Sequence, residues 1–597
     1  MPPDAPEPAP PPKSSPWRAV AIAVIAFAAF ANSLGNYFMI DDYWHLNAAA
    51  RHQWSDAFRP FHFGGREEYG HFWFNASRVE NRSADAYFRP LVPILFKSIR
   101  AGFGLDARAY HASSILLHVL TSLVVLWVAG LFFRAPEPAF VTALAFAVHP
   151  AHAEAVQWLA ANTHLILAPF YFLALGFYLR ARDPDAHWWH YALALLCFLV
   201  ALLAHEIAVT LPAVLLVADW WRGRANLAAE RPTFRGELPG LILRILPFAL
   251  VAGGYLVWHF DVLRSMQKEM AGSAYMHDPG HPLDFARVGL FQLAYSISHF
   301  FLPFPFAPVD VNDLEPALGR WPLVLGSLAL LALIVWIWIK MGGRDARVLV
   351  AAVLFLVPFA PSLLVNPAER LLYVPSLGFC LLLGLCYERL TARGRALRTP
   401  VMILASIAIV LAWAYNAMWS FPSNVARAQI AEIHRQLPSP DPDSSIYLLN
   451  LWGPSFGMET MPGLLAGNPS LDVQVLTIHP KVLPVGDYKL NNPLLQRFFS
   501  SVLPGAVGEA QVDAEWESPD VLRVQIHNGR FMRSLIEQTY PAAAIAQKPG
   551  ARIEMDHFTA EVVDADADGV ETLRFHFEPG RKRVVFDLQG GKVRKLD

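Results

Sequence analysis

The feature that most limits what this chain can become is its train of apolar runs, most of them close to the length that crosses a hydrocarbon core of about 30 Å. The first covers residues 17–38, and others follow at 109–133, 137–149, 163–181, 189–204, 205–221, 240–260, 285–303, 321–340, 347–365, 371–388 and 400–420. A chain of 597 residues that is 54% hydrophobic and only 16% charged could not hide so many runs inside a water-soluble fold. The sequence therefore predicts a polytopic α-helical membrane protein. Its net charge of −2 offers nothing to a nucleic acid. Cys197, Cys380 and Cys386 lie inside apolar runs, in no disulfide or zinc spacing, and read as packing residues.

Residues 1–16 are proline-rich and read as a disordered cytoplasmic tail. The first run is too long for a signal peptide's hydrophobic segment and lacks a clear cleavage site, so it reads as a retained anchor. Lys13 and Arg18, then Arg134, then Arg180 with Arg182, then Arg222 with Arg224 mark alternate loops as cytoplasmic. Strict alternation through every run would put "KMGGRDAR" (340–347) and "ERLTARGRALR" (388–398) outside. Dropping 285–303, which carries His299 and runs into "FLPFPFAP", as a re-entrant segment returns both to the cytoplasm. The expectation is roughly eleven transmembrane helices over residues 17–420, with 39–108, 150–162 and 261–320 as external loops. Beyond residue 421, short alternating stretches such as "VLRVQIH" (521–527) and "RIEMDHFTAEVV" (552–563) are strand signals. Residues 421–597 are thus expected to form a soluble, extracytoplasmic mixed α/β domain.

Where the first run ends, "NYFMIDDYWHL" (36–46) sets Asp41 and Asp42 at the lipid boundary. Taken alone, the pair could be a solvated helix stop. Three other external run ends carry polar clusters, however: "HPAHAEAVQW" (149–158), "AHEIAVTLP" (204–212) and "NPAERLLYVPSLGF" (366–379). Ionisable groups at such depth are expected to be paired and functional. "DADADG" (564–569) opens like a calcium loop, but Phe575 stands where its last glutamate belongs, so it reads as a hairpin turn. "NAS" (75–77) and "NRS" (81–83) fit the N-glycosylation pattern.

Together with "YFRPLVPILF" (87–96) and "YHASSILLH" (110–118), these clusters resemble the ordered motif series of the transmembrane O-mannosyltransferases that act on cadherins, relatives of the protein O-mannosyltransferases in the GT-C superfamily. The resemblance covers about the first 420 residues. It implies a GT-C-like fold and a sugar donor carried on a polyprenyl phosphate. Two departures are visible: the tetratricopeptide repeats that usually follow are absent, and His205-Glu206 stands where the family has Lys-Glu.

Such a donor presents its anomeric carbon at headgroup level, so the catalytic groups belong at the membrane rim. A carboxylate must take the acceptor hydroxyl's proton, and Asp41 or Asp42 is the candidate. The departing lipid phosphate calls for guanidinium, from Arg89 and Arg370, with Glu369 or Tyr373 orienting them. Glu206 completes the rim. His149, before Pro150, is expected to cap a helix, with His152 in its first turn; both are read as binding donor phosphate or sugar, alongside Glu154. Glu154 would sit about 200° around a regular helix from His152, which suits a joint metal site poorly. No cofactor is firmly implied, and the alternative is a divalent ion, Mg2+ or Mn2+, on His149, His152 and Glu154. His111 and His118 share a helix face, from which one could reach the site.

The expected reaction is inverting transfer of a sugar, mannose on the resemblance, to a hydroxyl of a protein, glycan or lipid at the outer face of the membrane. Partners are the lipid-linked donor, the acceptor and membrane lipid. The alternatives are a transporter or flippase for a lipid-linked sugar, which should hold its charges near mid-membrane, and a non-catalytic membrane scaffold. The alanine- and arginine-rich composition fits a bacterial inner membrane, with the N-terminus cytoplasmic.

Overall fold

The computed structural model describes residues 16–597 apart from 59–60, 63–71, 74–85, 227–233, 271–344 bar a few isolated positions, 365–367, 395, 481–482, 485–506, 509, 534–547 bar one position, 590–591 and 597. The runs at 285–303 and 321–340 and both glycosylation patterns lie wholly or almost wholly outside the described residues.

The helices are α1 (Pro16–Phe30), α2 (Asp42–Arg51), α3 (Leu91–Phe103), α4 (Ala107–Gly130), α5 (Pro136–Ala147), α6 (Ala153–Gln157), α7 (Asn162–Arg180), α8 (Trp188–Ala204), α9 (Leu211–Asn226), α10 (Phe234–Met270), α11 (Ala346–Phe359), α12 (Ser376–Thr391) and α13 (Arg398–Gln436). Their starts follow local chemistry. Asp106 caps α4 by accepting the Arg108 N–H at 3.1 Å, and Asp345 caps α11 by accepting the Arg347 N–H at 3.0 Å. α5 begins on Pro136, whose missing N–H costs nothing at a first-turn position.

Among the described residues, six helices are long and apolar enough to cross a bilayer, or seven if a pair bent by 50° at residues 148–149 is one span. The expected count of roughly eleven is not reached. One reason is that three polar clusters, at the run ends where the sequence places them, take the chain out of regular α-helix and leave the helices beside them short. His149 precedes Pro150, is held extended, and ends α5. The run at 205–221 begins as a 3-10 turn over Glu206–Thr210, and the run at 371–388 is preceded by a 3-10 turn over Glu369–Leu372. α8, α9 and α12 are correspondingly short, at 17, 16 and 16 residues.

α13 carries the chain into a C-terminal region with two principal sheets. Strands β1 (Ser445–Leu449), β2 (Asp472–Val475), β8 (Arg583–Asp587) and β9 (Arg594–Leu596) lie in the order β9-β8-β1-β2, parallel except for β9. Strands β3 (Gln511–Ser518), β4 (Val521–His527), β5 (Arg552–Glu554), β6 (Phe558–Asp566) and β7 (Gly569–Phe577) form an antiparallel sheet in the order β3-β4-β7-β6-β5. "DADADG" is the β6–β7 hairpin turn, closing with Asp566 opposite Gly569. Gly569 has φ +129°, and a Cβ there would come within 2.9 Å of the Phe531 carbonyl oxygen.

This region docks on the segment that follows α1. The Trp73 indole N–H donates to the Leu476 carbonyl at 2.7 Å, and Phe72 stacks on Phe456 with ring centroids 4.6 Å apart. Gly457, at φ +92°, lets its backbone approach so closely that a Cβ would lie 2.6 Å from the Ile40 carbonyl oxygen. The C-terminal region therefore buttresses the turn that carries Asp41.

Candidate functional site

The two aspartates have different jobs. Asp42, 1% exposed, accepts the Met39 N–H on one oxygen at 2.9 Å and the Ala160 N–H on the other at 2.7 Å, tying the start of α2 to the turn before α7. Burial pushes its carboxyl well above the usual range against the pull of those two donors. Asp41, the residue before α2, makes no side-chain capping bond, and its carboxyl accepts no hydrogen bond among the described residues. Burial raises it to about 6, with the Arg370 guanidinium working in the opposite sense.

Arg370 is held by Glu154. Its backbone N–H donates to Glu154 Oε2 at 2.8 Å, its guanidinium donates to Glu154 Oε1, and the guanidinium carbon lies 4.9 Å from the centre of the Trp158 ring. The break at His149 makes this contact available: the 3-10 turn and α6 present Glu154 toward the Glu369–Leu372 turn. Arg89 forms a second pair, donating from Nε and Nη2 to the two oxygens of Glu206 at 3.0 and 2.5 Å. Burial would raise the Glu206 carboxyl, but the Arg89 charge, His205, the Arg89 hydrogen bonds and a backbone N–H together hold the group well below the usual range.

His205 does not replace the family's lysine as a cation. Burial, then Arg89, lower its imidazole to about 3, and its Nδ1 accepts the Ile207 N–H at 3.2 Å. His205 lies in the fields of Arg89, Glu206 and Arg370 together, and His164, whose ring centroid is 4.6 Å away, lies in the same fields. Asp41, both arginine–glutamate pairs and these imidazoles thus gather at one end of the helix bundle.

Several expected site residues serve other ends. Tyr373 does not orient an arginine; its hydroxyl bonds His118 Nδ1 at 2.8 Å, while His118 Nε2 lies 3.0 Å from the Ala147 carbonyl oxygen. His152, fully buried, bonds Ser376 Oγ at 3.0 Å through Nε2. His149 caps as expected, its Nδ1 accepting the Ala151 N–H at 3.2 Å. Glu369 receives the Tyr415 hydroxyl at 3.3 Å, and burial followed by the nearby Glu154 raises its carboxyl well above normal. His111 is buried inside α4, 3.4 Å from the Tyr37 carbonyl. The metal alternative on His149, His152 and Glu154 does not fit: both Glu154 oxygens serve Arg370, and among the described residues no three ligating side chains cluster.

The sequence reading missed Tyr255 and His259 on α10. His259 is 1% exposed and interacts electrostatically with Glu206 and Arg89, as does Tyr255. Among the described residues, neither His259 nitrogen, nor the Tyr255 hydroxyl, has a hydrogen-bond partner. Two polar side chains four residues apart inside an otherwise apolar run were the available signal. His45 on α2 was also passed over; burial and then Arg89 lower it to about 4.

No family model matches the chain. Among curated proteins it is similar to the human protein O-mannosyl-transferase TMTC3, 25% identical over 357 residues that cover 54% of this chain and 38% of the relative. The mouse protein O-mannosyl-transferase TMTC4 is 23% identical over 447 residues, covering 66% and 58%. The resemblance read from the motifs is borne out. The chain spans about two-fifths of the TMTC3 relative's length and about three-fifths of the TMTC4 relative's. Among solved structures, ArnT from Cupriavidus metallidurans bound to undecaprenyl phosphate aligns at TM-score 0.41 and 14% identity, covering 84% of this chain and 93% of that one. An Archaeoglobus fulgidus oligosaccharyltransferase tethered to an acceptor peptide aligns at TM-score 0.40 and 14% identity, covering 76% and 64%.

Proposed function

We propose that the protein is an inverting glycosyltransferase of the GT-C kind, moving a sugar from a polyprenyl phosphate to an acceptor hydroxyl at the outer face of a membrane. The relatives' names favour mannose as the sugar and a protein hydroxyl as the acceptor. Asp41 takes the acceptor proton as the hydroxyl oxygen attacks the anomeric carbon; the bond from that carbon to the phosphate oxygen breaks, and the phosphate leaves. Arg370 and Arg89 neutralise the departing charge through their guanidinium groups. Asp42 positions Asp41, and His259 and Tyr255 offer unused polar atoms beside Arg89 to the donor.

The single observation that carries this reading is the contrast within the acid pair. Asp42 is consumed by two backbone donors, whereas Asp41 is unbonded, lies in the field of a guanidinium and is poised at about 6. A base just below neutral is mostly ionised yet still basic enough to accept a proton. The test is sugar transfer by purified protein carrying Asp41→Asn or Asp42→Asn, with polyprenyl-phosphate mannose and a serine/threonine peptide. Asp41→Asn is expected to lose roughly 10²–10⁴-fold in rate without losing thermal stability. Asp42→Asn is expected to lower the melting temperature. Full transfer by Asp41→Asn removes the assignment.

A further inference from the structure

Around the Arg89–Glu206 pair the bundle gathers polar side chains whose hydrogen-bonding capacity is unmet. Tyr255 and His259, four residues apart on one face of α10, have ring centroids 5.3 Å apart. Among the described residues the Tyr255 hydroxyl, both His259 nitrogens and Nδ1 of His164 are buried without a hydrogen-bond partner. The His164 and His259 side chains are almost wholly buried, at 2% and 1% exposed. His205 joins them: its ring centroid is 4.6 Å from that of His164, and it feels His259 as well as Arg89 and Glu206. These residues come from α7, α10 and the turn after α8, so only the fold brings them together. Buried polar groups are nearly always hydrogen-bonded, and a cluster of exceptions beside an active end points to a polar ligand.

The chemistry of the cluster selects the kind of ligand. His205 Nδ1 accepts the Ile207 N–H, so its neutral ring carries the proton on Nε2 and donates from there. A buried imidazole beside a guanidinium is neutral. His164 and His259 therefore each present one N–H and one lone pair, and the Tyr255 hydroxyl both donates and accepts. Phosphate oxygens only accept, and would set their lone pairs against those of the imidazoles. Sugar hydroxyls donate and accept at once, so they meet both kinds of atom. Three imidazoles also suit a metal ion, but among the described residues no three ligating side chains lie close enough together to hold one.

We propose that His164, His205, His259 and Tyr255 form the subsite that takes the hydroxyls of the transferred sugar. The proposal rests on the transferase reading and divides the donor in two: the sugar ring is held by these neutral groups, and the phosphate by the guanidiniums.

The test is binding by full-length protein in nanodiscs, with two probes: polyprenyl phosphate alone and polyprenyl phosphate carrying mannose. Tyr255→Phe removes only a hydroxyl, and His259→Leu replaces the imidazole by an apolar group of similar size. Each variant is expected to bind the mannose-bearing lipid roughly 3–10-fold more weakly, the scale for one lost hydrogen bond, and bare polyprenyl phosphate as the parent does. The melting temperature without lipid should hold or rise in both, because each substitution removes a buried polar group that lacks a partner. A fall in melting temperature with equal loss of both lipids would overturn the proposal, since the two side chains would then be structural. Transfer by the parent protein together with variants that bind both lipids as the parent does would overturn the subsite and leave the transferase reading standing. A sugar-specific loss of binding in the variants, with no transfer by the parent protein, would support the subsite and overturn the transferase reading instead.

Discussion

At the Asn162 end of α7 each arginine has its own glutamate, Arg370 with Glu154 and Arg89 with Glu206; at the Arg180 end two arginines share Asp219. The exposures differ as well. The paired glutamate side chains are 11% and 25% exposed, whereas that of Asp219 is 0%. A partly exposed, one-to-one pair is electrically neutral and can exchange a carboxylate contact for a phosphate contact when a ligand arrives, then close again when it leaves. Asp219 is wholly buried between Arg182 and Arg244, so breaking that contact would strand a charge away from water. The first arrangement suits turnover and the second suits a fixed structural tie.

The largest effect expected from breaking this contrast is at Arg370. Arg370→Ala should lower transfer by roughly 10²–10³-fold, the scale for losing one preorganised donor to developing negative charge. Arg370→Lys should recover little of it, because an ammonium lacks the planar set of N–H groups with which a guanidinium can bond Glu154 and a phosphate together. Steady-state rates with a polyprenyl-phosphate sugar would read both. A lysine variant with full activity would mean that charge alone is needed there.

Asp219→Asn should do the reverse. Loss of the buried carboxylate that Arg182 and Arg244 share should cost roughly 3–5 kcal/mol of stability, read by thermal or denaturant unfolding, while transfer per folded molecule stays unchanged. If transfer falls along with stability, the two ends of α7 are coupled.

Much of this arrangement can be read from the sequence, and the remainder fails for one physical reason. The break after α5 is legible because His149 precedes a proline, and the strands of the C-terminal sheets announce themselves by alternation. Which aspartate is free is not legible, since the donor that occupies Asp42 is Ala160, 118 residues away. Arg370 was matched with its neighbours Glu369 and Tyr373. The 3-10 turn instead directs Glu369 to Tyr415 and leaves Arg370 to Glu154, at a separation of 216 residues. Among the described residues the span count falls short beside the same clusters, because the 3-10 turns over Glu206–Thr210 and Glu369–Leu372 take up residues that the runs at 205–221 and 371–388 assigned to helix. Local chemistry predicts where the chain bends, but partners across the bends are set by packing.

The acid pair gives a finer test of the active end. With Asp41 poised at about 6, transfer should fall as pH drops through 6 and the base becomes protonated, then level off above it. His205, lowered to about 3, stays neutral throughout and should add no second limb near 6.5. The stability consequence has the opposite sign. A carboxyl raised on folding stabilises at pH below its ordinary range and loses that contribution as pH rises from about 4 to about 6. Asp41→Asn should therefore remove both the rate limb and this part of the pH dependence of melting.

The smallest expected effect lies where the C-terminal region meets the Asp41 turn. Glu459, fully buried, accepts the Trp44 indole N–H at 3.3 Å, and burial raises its carboxyl to about 7 despite that bond. Folding raises this carboxyl too, so its stabilising contribution is complete below the ordinary carboxylate range and declines as pH climbs toward 7. Above 7 a charged Glu459 sits in the contact beside Gly457, which presses on Ile40 and hence on the Asp41 turn. Docking of the C-terminal region should loosen between pH 7 and 8, seen as faster amide exchange in residues 40–46 and a modest fall in transfer. Glu459→Gln keeps an acceptor for Trp44 but cannot ionise, so it should abolish the alkaline loosening while leaving the Asp41 limb at pH 6 in place. If the alkaline fall persists in Glu459→Gln, the C-terminal region does not govern the turn through this carboxyl, and the buttress acts through the Gly457 backbone alone.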